Sequence, residues 1–162
     1  MDGSLFNSHA PSLRAIADAM RLESVSLLAR RPGVQDVYRI TVHYYDRRAC
    51  DSVATLCKSI TGGVTLDVVH RRALDHKPLT YRLDDARFRT FVAMIQRVRF
   101  DKLTDQPTLP VYDSTDLWMI ERAAGTFNKS VILAPSSADA EPYRMLVDAV
   151  RNSVPEALRQ VT

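Results

Sequence analysis

The chain has 162 residues, of which 46% are hydrophobic and 25% are charged, and its formal net charge is +3. This length and usage are typical of one globular domain that folds around its own core without a metal or a disulfide staple. The 22 basic and 19 acidic residues are interspersed, which argues against a nucleic-acid-binding protein, and no apolar run approaches the roughly 20 residues of a membrane helix.

The N-terminal part of the sequence is polar. Residues 1–10 are predicted to be a flexible N-terminus, ahead of a single domain over residues 11–162. The start has no basic segment followed by an apolar one, so no export signal is predicted there. From Pro11 onward, apolar residues recur at helical spacing, which predicts a short amphipathic helix.

Two strand-like runs come next. Residues 23–30 place their apolar side chains on one parity, which predicts a strand. After a breaker at residues 31–33, the alternation in residues 36–45 predicts a second, half-buried strand. One face of that strand is then expected to be open to water or to a partner, and it presents Arg39, Thr41, His43 and Tyr45.

Two interpretations stay open for residues 47–60, which contain the only cysteines. If the segment is helical, the Cα atoms of Cys50 and Cys57 lie roughly 10.5 Å apart at about 1.5 Å per residue, beyond disulfide reach. If it is an irregular connection, the pair can form a disulfide, which would indicate an oxidising compartment. The spacing does not fit a zinc site, and no nearby residue supplies a base for a thiol nucleophile.

The second half of the chain mixes strands and helices. Alternation predicts strands within residues 62–72 and 79–83, and a 3.6-residue period predicts a helix over about 84–99, capped by Asp84 or Asp85. Residues 116–135 are predicted to form a β-hairpin in which Trp118 belongs to the core.

A last helix is predicted over about 139–152, capped by Ser137 or Asp139. Together these elements predict an α+β fold: an antiparallel sheet of about 5–6 strands, with the two main helices on one face and the short N-terminal helix in addition.

Acid–base chemistry would need a histidine next to a carboxylate. His70 is the best candidate, paired with Asp67 or Asp75, but no nucleophile elbow or HExxH frame accompanies it. The sequence therefore predicts no catalytic, cofactor-binding or metal-binding residue. Basic residues become denser from Arg71 and Arg72 onward, and these two are predicted to contribute to a partner surface.

The layout of the chain resembles small envelope proteins and lipoproteins of proteobacteria that have no established activity. The resemblance covers residues 23–152 and includes Asp113, Trp118, Glu121 and Pro135. It implies an α+β fold and an export route, not a reaction.

These observations favour a non-enzymatic protein-binding domain without a cofactor. Its most specific form is an immunity protein that neutralises a bacterial secreted effector toxin by steric occlusion, because a compact domain with an open polar face suits a protein partner. The alternatives are a structural or accessory envelope protein held by the Cys50–Cys57 disulfide, and a hydrolase. The expected location is the periplasm or cell envelope if an export signal has been removed, and the cytoplasm otherwise.

Overall fold

The computed structural model describes residues 9–46, 49–71 and 77–158. The described chain contains four α-helices, six β-strands and three short 3₁₀ turns. The helices are α1 (His9–Ala19), α2 (Val25–Ala29), α3 (Asp85–Arg97) and α4 (Tyr143–Ser153), and the strands are β1 (Val34–His43), β2 (Ser52–Ser59), β3 (Val64–His70), β4 (Leu79–Leu83), β5 (Leu117–Ala124) and β6 (Phe127–Leu133).

All six strands form one antiparallel sheet in the order β4-β3-β2-β1-β5-β6. The predicted α+β fold with an antiparallel sheet is thus confirmed. The central strand β1 pairs with β2, its neighbour in sequence, and with β5, which comes from the other half of the chain.

Helices α3 and α4 cover one face of the sheet, as predicted. Their apolar sides pack on the inward residues of the strands, and Trp118 is part of this main core. Asp84 caps α3, because its carboxylate accepts a hydrogen bond from the Ala86 N–H at 2.8 Å. Helix α4 begins directly after Pro142, later than predicted, and has no side-chain cap, so the predicted caps Ser137 and Asp139 are wrong.

The opposite face is not open, which corrects the sequence prediction. Helix α1 packs there on Val53, Met119 and neighbouring apolar side chains, and α2 packs on Val37 and Ala123. Helix α1 begins at His9, two residues before the start predicted at Pro11, and residues 1–8 lie outside the described part. The sheet is therefore enclosed between two helical layers over most of its width.

Two segments differ from their predicted secondary structure. The predicted strand at 23–30 is helix α2, which Ser24 caps by accepting a hydrogen bond from the Leu27 N–H at 3.2 Å. In the cysteine-containing segment, residues 52–59 form strand β2, which includes Cys57, whereas Cys50 lies two residues before the strand, and the described residues 49–60 contain no helix. Both faces of β2 are buried, so it lacks the alternation that identifies a half-buried strand.

The predicted hairpin at 116–135 is confirmed. Strands β5 and β6 are joined by Gly125 and Thr126, and Gly125 has a φ of +56°, a left-handed conformation that suits glycine in a tight turn. Within the described residues, the helices are too short or too polar to cross a membrane.

Candidate functional site

The structure describes five of the six predicted partner-binding residues and separates them into two groups. Arg39 and Thr41 are buried on the face that α1 covers, which contradicts the predicted open face. His43, Tyr45 and Arg71 instead meet at one end of the sheet, and Arg72 lies outside the described residues.

This end of the sheet carries a cavity of about 520 Å³, which we call the His43 cavity. Strand β1 ends there at His43, β2 begins at Ser52 and β3 ends at His70. Because these strands are antiparallel, an end and a start meet at the same edge of the sheet. The lining residues are His43, Tyr44, Tyr45, Ala49, Cys50, Asp51, Arg71, Tyr112 and Asp113.

Carboxylates hold His43 at both ring nitrogens. Nδ1 lies 3.0 Å from Oδ1 of Asp51, and Nε2 lies 2.7 Å from Oδ1 of Asp113. A carboxylate can only accept, so both contacts are hydrogen bonds at once only when each ring nitrogen carries a proton, which is the imidazolium form. The Tyr112 ring stacks on it, with centroids 4.4 Å apart and planes 10° from parallel.

Asp51 is the buried centre of the cluster. Its Oδ1 also accepts a hydrogen bond from the Tyr44 N–H at 3.1 Å, and its Oδ2 accepts one from Nη1 of Arg71 at 3.1 Å. The Arg71 N–H donates to the Asp51 backbone carbonyl at 2.9 Å. These contacts fix the position of the carboxylate.

Asp113 belongs to the connection between α3 and β5 and faces solvent. Its side chain is 67% exposed, and its backbone φ of +69° lies in the left-handed region that aspartate tolerates better than most residues. The same connection makes a second contact near the end of β1, because the Tyr45 N–H, two residues after the strand, donates a hydrogen bond to Oδ1 of Asp116 at 3.2 Å.

The electrostatics of the cluster follow from these contacts. Burial disfavours the charged imidazole, but the hydrogen bonds and charges of Asp51 and Asp113 outweigh it and raise the pKa of His43. Burial by itself would raise the pKa of Asp51, yet the hydrogen bonds from His43, Tyr44 and Arg71 lower it. Burial and the nearby carboxylates raise the pKa of Tyr112 to about 12.

Chemically, the cluster has the parts of an Asp–His dyad but engages both ring nitrogens within the chain. A general base needs a ring nitrogen that can receive a proton from a bound group. Asp113 occupies that nitrogen in the structure. The arrangement therefore acts as a fixed polar floor beneath three exposed side chains at the rim, Tyr45, Arg71 and Asp113.

Cys50 and Cys57 are free thiols in the structure, so the disulfide that one of the two interpretations of residues 47–60 allowed is not formed there. Cys57 lies five residues into strand β2 from Ser52, which is about 17 Å at roughly 3.4 Å per residue. Cys50 lies only two residues before Ser52, so the chain cannot bring its sulfur within bonding distance of Cys57. Cys50 lines the His43 cavity, while Cys57 packs beside α2.

Of the two pairings that the sequence offered for His70 in proton transfer, the one with Asp67 does not form. Asp67 and His70 are three residues apart on β3, so their side chains project from opposite faces of the sheet. Asp67 accepts a hydrogen bond from the Thr80 hydroxyl at 2.7 Å. The alternative partner Asp75 lies outside the described residues.

A second polar cluster, which sequence reasoning missed, lies beneath α1. Arg39 stands between Thr55 and Glu121 in the registers of β1 with β2 and β5, and its Nε donates to the Thr55 hydroxyl at 3.0 Å. Burial lowers the pKa of Arg39 and raises that of Glu121, while their mutual attraction opposes both shifts. These groups are buried, which assigns them to the interior.

In the described part of the chain, no three His, Cys, Asp or Glu side chains converge to hold a metal ion. A scan against protein-family models and a search of curated proteins both gave no match for this sequence.

Proposed function

We propose that the protein is a non-enzymatic protein-binding domain whose partner docks at the rim of the His43 cavity. The observation that supports this proposal is the double clamp on His43, with Asp51 at one ring nitrogen and Asp113 at the other. In its most specific form, the protein is an immunity protein that neutralises a bacterial secreted toxin by covering it.

The chemistry of the rim suits a protein partner. Tyr45 is 44% exposed, and Arg71 and Asp113 also reach solvent beside it. Tyrosine and arginine are the residue types that contribute most often to binding hot spots, and an exposed carboxylate adds a charge that selects the partner. The ordered floor lowers the entropic cost of binding, because its side chains are already fixed.

The proposal is tested by co-expressing the chain with the product of an adjacent gene. We expect that product to be toxic alone, to be tolerated with the wild-type chain, and to co-elute with it in size-exclusion chromatography. The variants Tyr45→Ala and Arg71→Glu should each lose protection. Arg89→Glu, a charge reversal on the exposed side of α3, is the matched control and should keep it.

Circular dichroism and thermal melting of all three variants separate lost binding from lost folding. The immunity proposal is rejected if neither neighbouring gene product is toxic alone or co-elutes with the chain. The location of the binding surface is rejected if protection survives both rim variants and is lost with Arg89→Glu.

One observation favours a second candidate, a hydrolase. Cys50 lines the same cavity as the Asp51–His43 pair, so a thiol and a histidine–carboxylate pair lie around one space. Such an enzyme would require Asp113 to leave Nε2 of His43. Hydrolysis of p-nitrophenyl acetate that Cys50→Ser and His43→Gln both abolish would support it, and equal rates in the wild type and both variants would exclude this nucleophile.

The envelope-protein alternative depended on the disulfide, and both cysteines are free in the structure. Thiol titration of the unfolded protein without reductant should therefore find two free thiols per chain. A bridged pair would revive that alternative and the exported location with it.

A further inference from the structure

The two edge strands of the sheet, β6 and β4, differ in whether other parts of the chain bind their outward-facing backbone groups. At the β6 edge, Oδ1 of Asp105 accepts a hydrogen bond from the Ile132 N–H at 2.8 Å, and the Gln106 N–H donates to the Ile132 carbonyl at 2.9 Å. The Gln106 side chain accepts one from the Ala134 N–H at 2.8 Å. This segment occupies backbone groups at the C-terminal end of β6 that a further strand would need, so that end of the β6 edge is covered.

The β4 edge has no such cover from the described residues. In the parts of the chain that the structure describes, no hydrogen bond is made to the outward-facing backbone of Leu79–Leu83. Leu79 is 52% exposed and Tyr81 is 40% exposed on this strand. An edge with unpaired backbone and exposed apolar side chains is a template for another strand.

We propose that this edge is a homodimer interface, in which β4 pairs antiparallel with β4 of a second copy about a two-fold axis at Tyr81. The sequence of β4, Leu-Thr-Tyr-Arg-Leu, is nearly symmetric about its centre. In this register Leu79 lies opposite Leu83 of the second copy, Tyr81 opposite its own counterpart, and Thr80 opposite Arg82. No two like charges stand directly opposite.

Charge complementarity supports this register and a second copy as the occupant. Asp67 lies beside Thr80 in the β3–β4 register and accepts its hydroxyl hydrogen bond. The two-fold axis places Arg82 of the second copy on the other side of Thr80, in the same row and on the same face. Threonine is short, so the guanidinium can reach over it to Asp67, and symmetry makes this pair twice.

A two-fold interface uses the same patch on both copies, which is the commonest way for soluble chains to associate. The result would be one continuous sheet of twelve strands, with the two β6 strands at its outer ends. The interface is independent of the proposed function, because the dimer uses the side of the sheet and the toxin partner uses the rim of the His43 cavity.

Sedimentation velocity over a concentration series tests the dimer. We expect the wild type to change from monomer to dimer as its concentration rises. Tyr81→Glu places two carboxylates opposite each other on the axis and should raise the dissociation constant at least tenfold. Phe127→Glu is the matched control, since Phe127 is a 39% exposed aromatic residue on the opposite edge of the sheet, and it should leave the dissociation constant unchanged.

A cysteine cross-link tests the register itself, in a background with Cys50→Ser and Cys57→Ser. Tyr81→Cys faces its own counterpart and should form a disulfide-linked dimer under mild oxidation. Leu79→Cys faces Leu83 and should cross-link far less. If both positions cross-link equally, the proposed register is wrong.

Charge exchange tests the pair between copies. Asp67→Arg and Arg82→Asp should each weaken the dimer, and the double variant should regain affinity. A wild-type chain that stays monomeric throughout the concentration series would overturn the proposal, and so would a dimer that Phe127→Glu weakens while Tyr81→Glu does not. Growth protection by Tyr81→Glu should equal that of the wild type, so failure of the dimer and failure of the immunity role are distinguishable.

Discussion

Nδ1 of His43 donates a hydrogen bond to Oδ1 of Asp51 at 3.0 Å, and both side chains are buried. The pair links the end of β1 to the residue that precedes β2, two strands that are neighbours in the sheet. Removing this pair should therefore lower the stability of the fold as well as weaken the proposed binding.

His43→Gln is expected to lower the free energy of unfolding by about 2–3 kcal/mol, because a buried carboxylate loses a charged donor. Urea denaturation followed by circular dichroism measures the difference. His9→Gln is the control, since His9 is only partly buried and contacts the Pro110 carbonyl. An equal loss of unfolding free energy in both variants would show that the contacts of His43 contribute no more to stability than those of His9.

The same pair makes stability depend on pH in a defined direction. The pKa of His43 is raised in the folded protein above its ordinary 6.5, so its contribution is fully present below pH 6.5 and is lost as the pH rises through the raised value. The pKa of Asp51 is lowered below its ordinary 3.8, so its contribution is present above pH 3.8 and is lost as the pH falls through the lowered value.

The difference in unfolding free energy between wild type and His43→Gln should consequently be largest between pH 3.8 and pH 6.5 and should shrink at higher pH. Urea titrations of both proteins across this range give the curve. A difference that grows from neutral to alkaline pH would mean that His43 is neutral in the folded protein.

Arg39 and Glu121 should behave as a coupled buried pair. Arg39→Met removes the buried cation that stands opposite the Glu121 carboxylate in the β1–β5 register, and it should cost about 3–5 kcal/mol of stability. The double variant Arg39→Met with Glu121→Leu should recover most of that loss, because no uncompensated charge remains. A double-mutant cycle in urea measures the coupling, and additive losses would show that the two charges do not interact.

Thr41 offers a gain in stability. Its side chain is fully buried, and its hydroxyl has no hydrogen-bond partner among the described residues. Thr41→Val keeps the shape and removes the unsatisfied group, so it should stabilise the protein by about 1 kcal/mol. Thr55→Val is the control and should destabilise, since the Thr55 hydroxyl accepts from Arg39. Thermal melts of both variants decide the sign.

The sequence predicts the parts of the fold whose pattern is local. Helix α3 shows a clear 3.6-residue period with its capping Asp84, and the β5–β6 hairpin alternates around Gly125. Strand β2 gives no such pattern, because both of its faces are buried. Helix α2 is only five residues long, and its Val25 and Ala29 satisfy a strand parity and a helical spacing alike.

The candidate site was predictable only in part. The sequence identifies His43, Tyr45 and Arg71 as surface polar residues. It does not connect Asp51 and Asp113 with His43, because these three residues come from three separate segments of the chain. The burial of Arg39 and Thr41 depends on where α1 packs. The amphipathic pattern of α1 indicates that one side is buried, without specifying which face of the sheet receives it.

The position of β1 in the sheet has a consequence for how the chain matures. On one side Val42 pairs with Ser52, and this pair can form soon after both residues leave the ribosome. On the other side Val42 pairs with Trp118, which is synthesised much later. Until β5 is synthesised, one edge of β1 is unpaired although it belongs to the apolar centre of the sheet, and two nascent chains can pair there and aggregate. Slowing translation between β4 and β5 should lengthen that vulnerable interval and lower the soluble yield.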